Sequence, residues 1–233
     1  MPTPSTTTPA NSAQPDKILV WDIPTRLFHW LLVLLFSGLL ITGLSDNLDW
    51  MIWHQRMGYA MLGLLIFRLL NGLFGLDYAR FTHLPLHPAS VKAYLSGQHS
   101  SPGHNPLGSW MVVAMLLVLT LQTFTGLLTS DDFFVEGPWV YWADEEWVGR
   151  ASWLHSWNWI VMACLVGLHL LAILVYQFGK RQNLVKPMLS GYKTVPQNMP
   201  TRHPAAVKIP LWRLAAKIAI AGLAAWAVIS LPG

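Results

Sequence analysis

Five stretches of this chain, residues 27–44, 53–75, 106–128, 153–178 and 211–231, stay apolar for about the twenty residues a helix needs to cross a bilayer. In lipid no water is available to satisfy backbone N–H and C=O groups. Each stretch must therefore close its own hydrogen bonds as a helix. Charged residues make up only 11% of the chain, where soluble domains carry about 25%. The deficit implies an exterior that faces lipid, and a mean hydropathy of +0.40 agrees. Thirteen tryptophans suit the depth at which helix ends meet headgroups. The expectation is an all-α integral membrane protein with no soluble domain and no evident internal repeat.

The remaining segments frame these helices. Asn105-Pro106 opens the third stretch, a capping residue followed by proline where no amide donor is needed. The fourth closes at Gly179 with Lys180 and Arg181, cations suited to the negative end of a helix dipole. Residues 1–19 are read as a disordered cytoplasmic tail, because the Pro, Thr and Ser-rich start lacks a basic, apolar leader. Residues 20–195 form the bundle, and 196–233 a linker with an additional transmembrane helix.

Orientation follows from the basic residues. With the N-terminus cytoplasmic, thirteen of fifteen Lys and Arg lie on inner segments and helix ends, and Arg56 and Arg150 are the exceptions. The outer face takes eight of eleven acids: Asp46, Asp49, Asp131, Asp132, Glu136, Asp144, Glu145 and Glu146. The chain is thus expected to cross the membrane several times with its N-terminus on the cytoplasmic side.

The single cysteine, Cys164, rules out an internal disulfide, an iron–sulfur cluster or a covalently attached haem. A metal centre must rest on other ligands. Four of nine histidines fall in the spans, where polar groups are costly and mark function more often than in a soluble core. His155 and His169 are fourteen residues apart, two heptads, so they share one side of their helix about 21 Å apart. His29 begins the first span at the inner side, and His54 the second at the outer side. Topology pairs His29 with His169 and His54 with His155, one pair per leaflet. Each residue alone reads equally as a hydrogen-bonded packing histidine. Together, two pairs suit two bis-histidine haems better than a zinc ion, which draws three or four ligands to one point.

Arg26, three residues before His29, and Arg68, fourteen after His54, are placed to meet inner haem propionates or to snorkel to the interface. Arg56 and Arg150 hold the same position at the outer side. His104 and Asn105, at the inner mouth of the third span, offer a bound molecule a donor and a proton, or serve as a loop residue and a cap. His83, His87, His99 and His203 lie in inner loops with no assigned role.

The run Val20-Trp21-Asp22-Ile23-Pro24-Thr25-Arg26-Leu27-Phe28-His29-Trp30 resembles the opening of the bacterial cytochrome b561 family. That family includes the b-type cytochrome subunit of nickel–iron hydrogenases. Gly103-His104-Asn105-Pro106, His155-Ser156-Trp157 with His169, and Ser190-Gly191-Tyr192-Lys193 carry the same resemblance, over residues 20–195. It implies a four-helix transmembrane haem-binding bundle, here with a fifth C-terminal helix added, holding two haem b groups. His29, His54, His155 and His169 match the family's ligand positions. The implied function is electron exchange between a periplasmic redox partner, a hydrogenase-like enzyme or c-type cytochrome, and the quinone pool. The acidic, Trp-rich segment 129–151, with Trp139, Trp142 and Trp147, departs from the short family pattern and is read as an outer docking loop or as a solvated loop with ordinary interfacial Trp. Two other classes stay open: a superoxide-oxidising quinone reductase of the same fold, and a cofactor-free anchor or transporter.

Overall fold

The computed structural model describes residues 16–45, 47–97, 103–131, 135–195 and 210–230. In chain order the elements are strand β1 (Asp16–Leu19), α1 (Ile23–Gly43), α2 (Leu48–Phe74), α3 (Pro88–Leu95), α4 (Pro106–Leu127), α5 (Glu145–Leu174), α6 (Val185–Ser190), β2 (Tyr192–Val195) and α7 (Leu211–Ser230). Short 3-10 turns lie at Asp77–Ala79, Phe81–His83 and Val140–Trp142, and a π-helical turn, Val175–Gly179, extends α5. Five helices, α1, α2, α4, α5 with its extension, and α7, are long and apolar enough to span a bilayer.

Caps fix the helix starts earlier than hydropathy places them. Asp22 accepts from the Thr25 amide at 2.9 Å and, with Pro24 behind it, starts α1 at residue 23 instead of 27. Asn47 starts α2 at 48 instead of 53 by accepting from the Asp49 amide. Asp144 stands at the N-cap position of α5 without a side-chain capping bond, and Glu145 and Glu146 occupy the first turn, where acids meet the positive dipole end. The segment expected as a loop through residue 151 therefore ends at 144, and Trp147 and Arg150 belong to α5.

Residues 16–19, expected at the end of a disordered tail, form β1, antiparallel to β2 with Asp16 opposite Val195. Ile18, Val20, Trp21 and Val195 bury one side of this pair, supported by Tyr78 and Met188. Gly191 makes the turn possible. Its φ is +87°, its carbonyl accepts from the Val20 and Trp21 amides, and an added Cβ would lie 2.7 Å from the Trp21 carbonyl. The sheet marks one end of the bundle, called here the strand end. The other, carrying residues 128–144, is the loop end.

Between the two ends lies an apolar layer of Met61, Leu65, Leu119 and Met162, from α2, α4 and α5, with Leu32, Leu35 and Phe36 of α1 against it. The outward faces are equally apolar, with Leu34, Leu117 and Leu223 each about two-thirds exposed. Such faces suit hydrocarbon as solvent. Helix α7 packs on α2 through small residues, Ala225 meeting Gly63, and buries Ala221 and Lys217.

Candidate functional site

At the loop end the rings of His54 (α2) and His155 (α5) lie 6.1 Å apart, centroid to centroid, with planes at 88°. Two metal–nitrogen bonds of about 2 Å plus two ring radii of about 1.1 Å give roughly 6 Å. The spacing thus fits a single iron held between them.

The tautomer is fixed on both sides. His54 Nδ1 lies 3.1 Å from the Leu39 carbonyl and 3.2 Å from Thr42 Oγ1, both on α1. His155 Nδ1 lies 2.9 Å from the Gln122 carbonyl and 3.3 Å from Thr125 Oγ1, both on α4. A carbonyl only accepts, so Nδ1 carries the hydrogen and Nε2 keeps its electron pair for a metal. Each threonine also donates to the carbonyl four residues back, Gly38 or Leu121, at 2.8 Å.

The next residue in each case is glycine. A Cβ on Gly43 would lie 2.7 Å from the His54 ring, and one on Gly126 would lie 2.9 Å from the His155 ring. Carbonyl, threonine and glycine thus recur at the same offsets, 39-42-43 and 122-125-126. Each set ends a helix and cradles the histidine of the helix that follows it. The sequence reading found no internal repeat. The structure exposes this short one, whose written trace is Thr42-Gly43-Leu44 and Thr125-Gly126-Leu127.

At the strand end, His29 of α1 and His169 of α5 lie within electrostatic reach of one another. His29 Nδ1 is buried without a hydrogen-bond partner. An orphaned ring nitrogen is expensive in a protein interior and consistent with a missing ligand. Four other buried side-chain atoms lack partners, Asp22 Oδ2, Arg26 Nε, the Tyr78 hydroxyl and Gln177 Oε1, and all belong to this end. The strand end is the polar, unsatisfied one among the described residues. Its donor set fits a large group that brings both a metal and polar substituents.

The two arginines expected near this site differ. Arg68 is 5% exposed, donates to the Ala79 carbonyl at 3.1 Å, and lies over the rings of Phe28 and Phe81. It points inward and does not snorkel. Arg26 is half-buried and bound to the Leu189 carbonyl. Arg56 and Arg150, considered for the loop-end site, turn outward. Arg56 stacks on Trp53, and Arg150 pairs with Glu146 one turn away along α5, which removes them from the cluster.

His104 packs its ring 4.5 Å from that of Trp21. Burial, with the nearby Arg68 charge and His169 adding to it, pushes its pKa down to about 4, so it is neutral at physiological pH. Asn105 caps α4 through the Gly108 amide at 2.7 Å and donates its Nδ2 to the Tyr176 hydroxyl at 2.6 Å. Of the loop histidines, His87 caps α3. His99 and His203, with the acids Asp46 and Asp132, lie outside the described residues.

Sequence reasoning missed a buried group beside this end. Lys217 of α7 donates to Asn71 Oδ1 at 2.9 Å and to the Phe74 carbonyl at 3.3 Å, and Asn71 Nδ2 reaches Thr25 Oγ1 at 3.4 Å. The signal was there: a lysine within an apolar helix requires a partner.

Comparison with known proteins identifies the family. The family model described as prokaryotic cytochrome b561 matches residues 20–191. The chain is 22% identical over 214 residues to the probable Ni/Fe-hydrogenase 1 B-type cytochrome subunit of Escherichia coli (strain K12), covering 75% of this chain and 90% of that protein. The corresponding protein of Escherichia coli O157:H7 matches to the same extent. No solved structure matches the chain. With the match running through all four span histidines and both cradles, the chain belongs to the prokaryotic cytochrome b561 family, whose members are helical integral membrane proteins.

Proposed function

We propose that this b-type cytochrome holds two haem b groups, one between His54 and His155 and one between His29 and His169, and moves electrons across the bilayer. The observation that carries this reading is the loop-end pair: two imidazoles at bis-ligand spacing, each with Nδ1 tied to a carbonyl and Nε2 available. The histidines of each pair would hold the iron, and the haem would supply a reversible one-electron carrier there.

The protein supplies the rest. Arg68 and Arg26, with the unsatisfied polar atoms around them, hold the propionates of the strand-end group. The apolar Met61–Leu65–Leu119–Met162 layer keeps water from between the two sites. The strand end faces the cytoplasm of the bacterial inner membrane, because eleven of the thirteen basic residues among the described ones collect there. The loop end faces the periplasm. Exposed Glu136, Asp144, Glu145 and Glu146, with Trp142 and Trp147 among them, form a docking face for a hydrogenase-like subunit or another redox protein. At the strand end a quinone takes or gives electrons beside His104 and Asn105, where a neutral imidazole can hydrogen-bond a carbonyl oxygen. Moving one electron fully across the membrane is worth about 2.3 kcal/mol per 100 mV, and the partners' potentials set its direction.

A redox titration of the purified protein, followed in the haem alpha band, tests this reading. Two one-electron components are expected, and His169→Ala should remove one while leaving the other at its wild-type potential. A single component in the wild type, or two in the variant, would overturn it.

A further inference from the structure

The π-helical turn at the end of α5 builds a hydrogen-bonded chain that no haem contact requires. Lys180, exposed at the surface, donates its Nζ to the Tyr94 hydroxyl at 3.1 Å and lies over the rings of both Tyr94 and Tyr176. The Tyr94 and Tyr176 hydroxyls are hydrogen-bonded to each other. Tyr176 also accepts from Asn105 Nδ2 at 2.6 Å. Four side chains from α3, α4 and the α5 extension thus form one connected line. It runs from water to the mouth of α4, where His104 sits next to Asn105.

Position along α5 gives this line a destination. Tyr176 follows His169 by seven residues, so it lies on nearly the same side of the helix, about 10 Å closer to the strand end. Single π turns within α-helices are rare and collect at functional sites. Next to Tyr176, Gln177 Oε1 is buried without a hydrogen-bond partner, so a second polar group lies beside the chain.

We propose that Lys180, Tyr94 and Tyr176, with Asn105 orienting the last, form the proton relay that serves quinone chemistry at the strand end. This rests on the quinone reading above and adds the route by which protons reach that site. Reduction of one quinone takes two electrons from the haems and two protons from water. As each new O–H bond forms on a quinone oxygen, a proton leaves the Tyr176 hydroxyl. Tyr94 returns a proton to Tyr176, the Lys180 ammonium returns one to Tyr94, and water reprotonates the amine. Quinol oxidation runs the same sequence backward. When Tyr94 donates to Tyr176, the latter's oxygen accepts twice and its own hydrogen is the chain's remaining donor.

The electrostatics are consistent with easy transfer. Burial alone would raise the Tyr94 phenol. Its hydrogen bonds to Tyr176 and Lys180, with the ammonium charge, outweigh that and draw it below the ordinary value. Lys180 is raised, chiefly by its hydrogen bond to Tyr94, so the entrance stays charged.

Stopped-flow re-oxidation of the reduced holoprotein separates proton supply from electron supply. Decylubiquinone takes electrons and protons, whereas ferricyanide takes electrons alone. Tyr94→Phe, Tyr176→Phe and Lys180→Met should each slow re-oxidation by decylubiquinone by about tenfold or more and enlarge its solvent deuterium effect. Re-oxidation by ferricyanide and the haem spectrum should not change. Decylubiquinone rates within about twofold of wild type in all three variants would overturn the relay. So would equal slowing with both acceptors, which would mark damage to the haem sites. If ferricyanide re-oxidises the wild type and decylubiquinone does not, the quinone reading itself fails, and the relay with it.

Discussion

Glycine and threonine decide what the loop-end histidines can do. Gly43 and Gly126 give the imidazoles room that no other residue would leave, and Thr42 and Thr125 reinforce the carbonyls that fix the tautomer. Gly43→Ala or Gly126→Ala should displace the facing ring and weaken haem retention at the loop end by about tenfold or more, as supporting contacts to metal ligands typically do. Haem content after washing with a competing haem-binding protein measures this, and wild-type retention in both variants would argue against the cradles. The histidines were legible in the sequence, because a fourteen-residue spacing and opposed helix directions place His54 near His155 without any coordinates. The cradles were not. Gly43 lies eleven residues from His54 and Gly126 twenty-nine from His155, and both read as ordinary helix ends until the rings are seen beside them. Arg56 and Arg150 misled for the converse reason. Depth along an axis is readable from spacing, but the side of the helix facing the bundle is set by packing.

Among the elements, α7 shows how far hydropathy carries. Its span was legible from apolar length, but the partner of its lysine was not. In the structure Lys217 is 9% exposed and clasps Asn71, which is fully buried. That contact fastens the fifth helix to α2 at the strand end, and Trp139 Nε1 donating to the Val228 carbonyl at 2.7 Å fastens it at the loop end. Lys217→Met should leave Asn71 Oδ1 without its donor and cost about 1–3 kcal/mol. Thermal unfolding followed by circular dichroism should shift down accordingly, and Asn71→Leu in the same chain should recover part of the loss. An unshifted transition in the single variant would contradict this role. The start of α5 was misplaced because Glu145 and Glu146 look like loop acids, although acids are what a helix N-terminus favours. Residues 16–19 read as tail because one short strand has no meaning without its partner, and β2 lies some 175 residues away.

For the whole molecule, the two ends differ in chemistry. The strand end gathers basic residues, the hydrogen-bonded Tyr94 and Tyr176 and, among the described residues, five orphaned polar atoms, and the loop end presents acids around exposed Trp142 and Trp147. That asymmetry was readable from charge alone, since Lys and Arg distribution follows topology and not tertiary detail. Replacing Glu136, Asp144, Glu145 and Glu146 with their amides should slow reduction by a basic redox partner at low salt and flatten its salt dependence, with the haem spectrum unchanged. An unaltered rate and salt profile would remove the docking face. More basic is the proposal that two histidine pairs, one toward each end of the bundle, each clamp one haem. The ratio of haem to protein in single His→Ala variants tests it most directly. Two haems per chain are expected in the wild type, with His54→Ala and His155→Ala losing one and His29→Ala and His169→Ala losing the other. A wild-type ratio of one, or full haem content in any of the four variants, would contradict it.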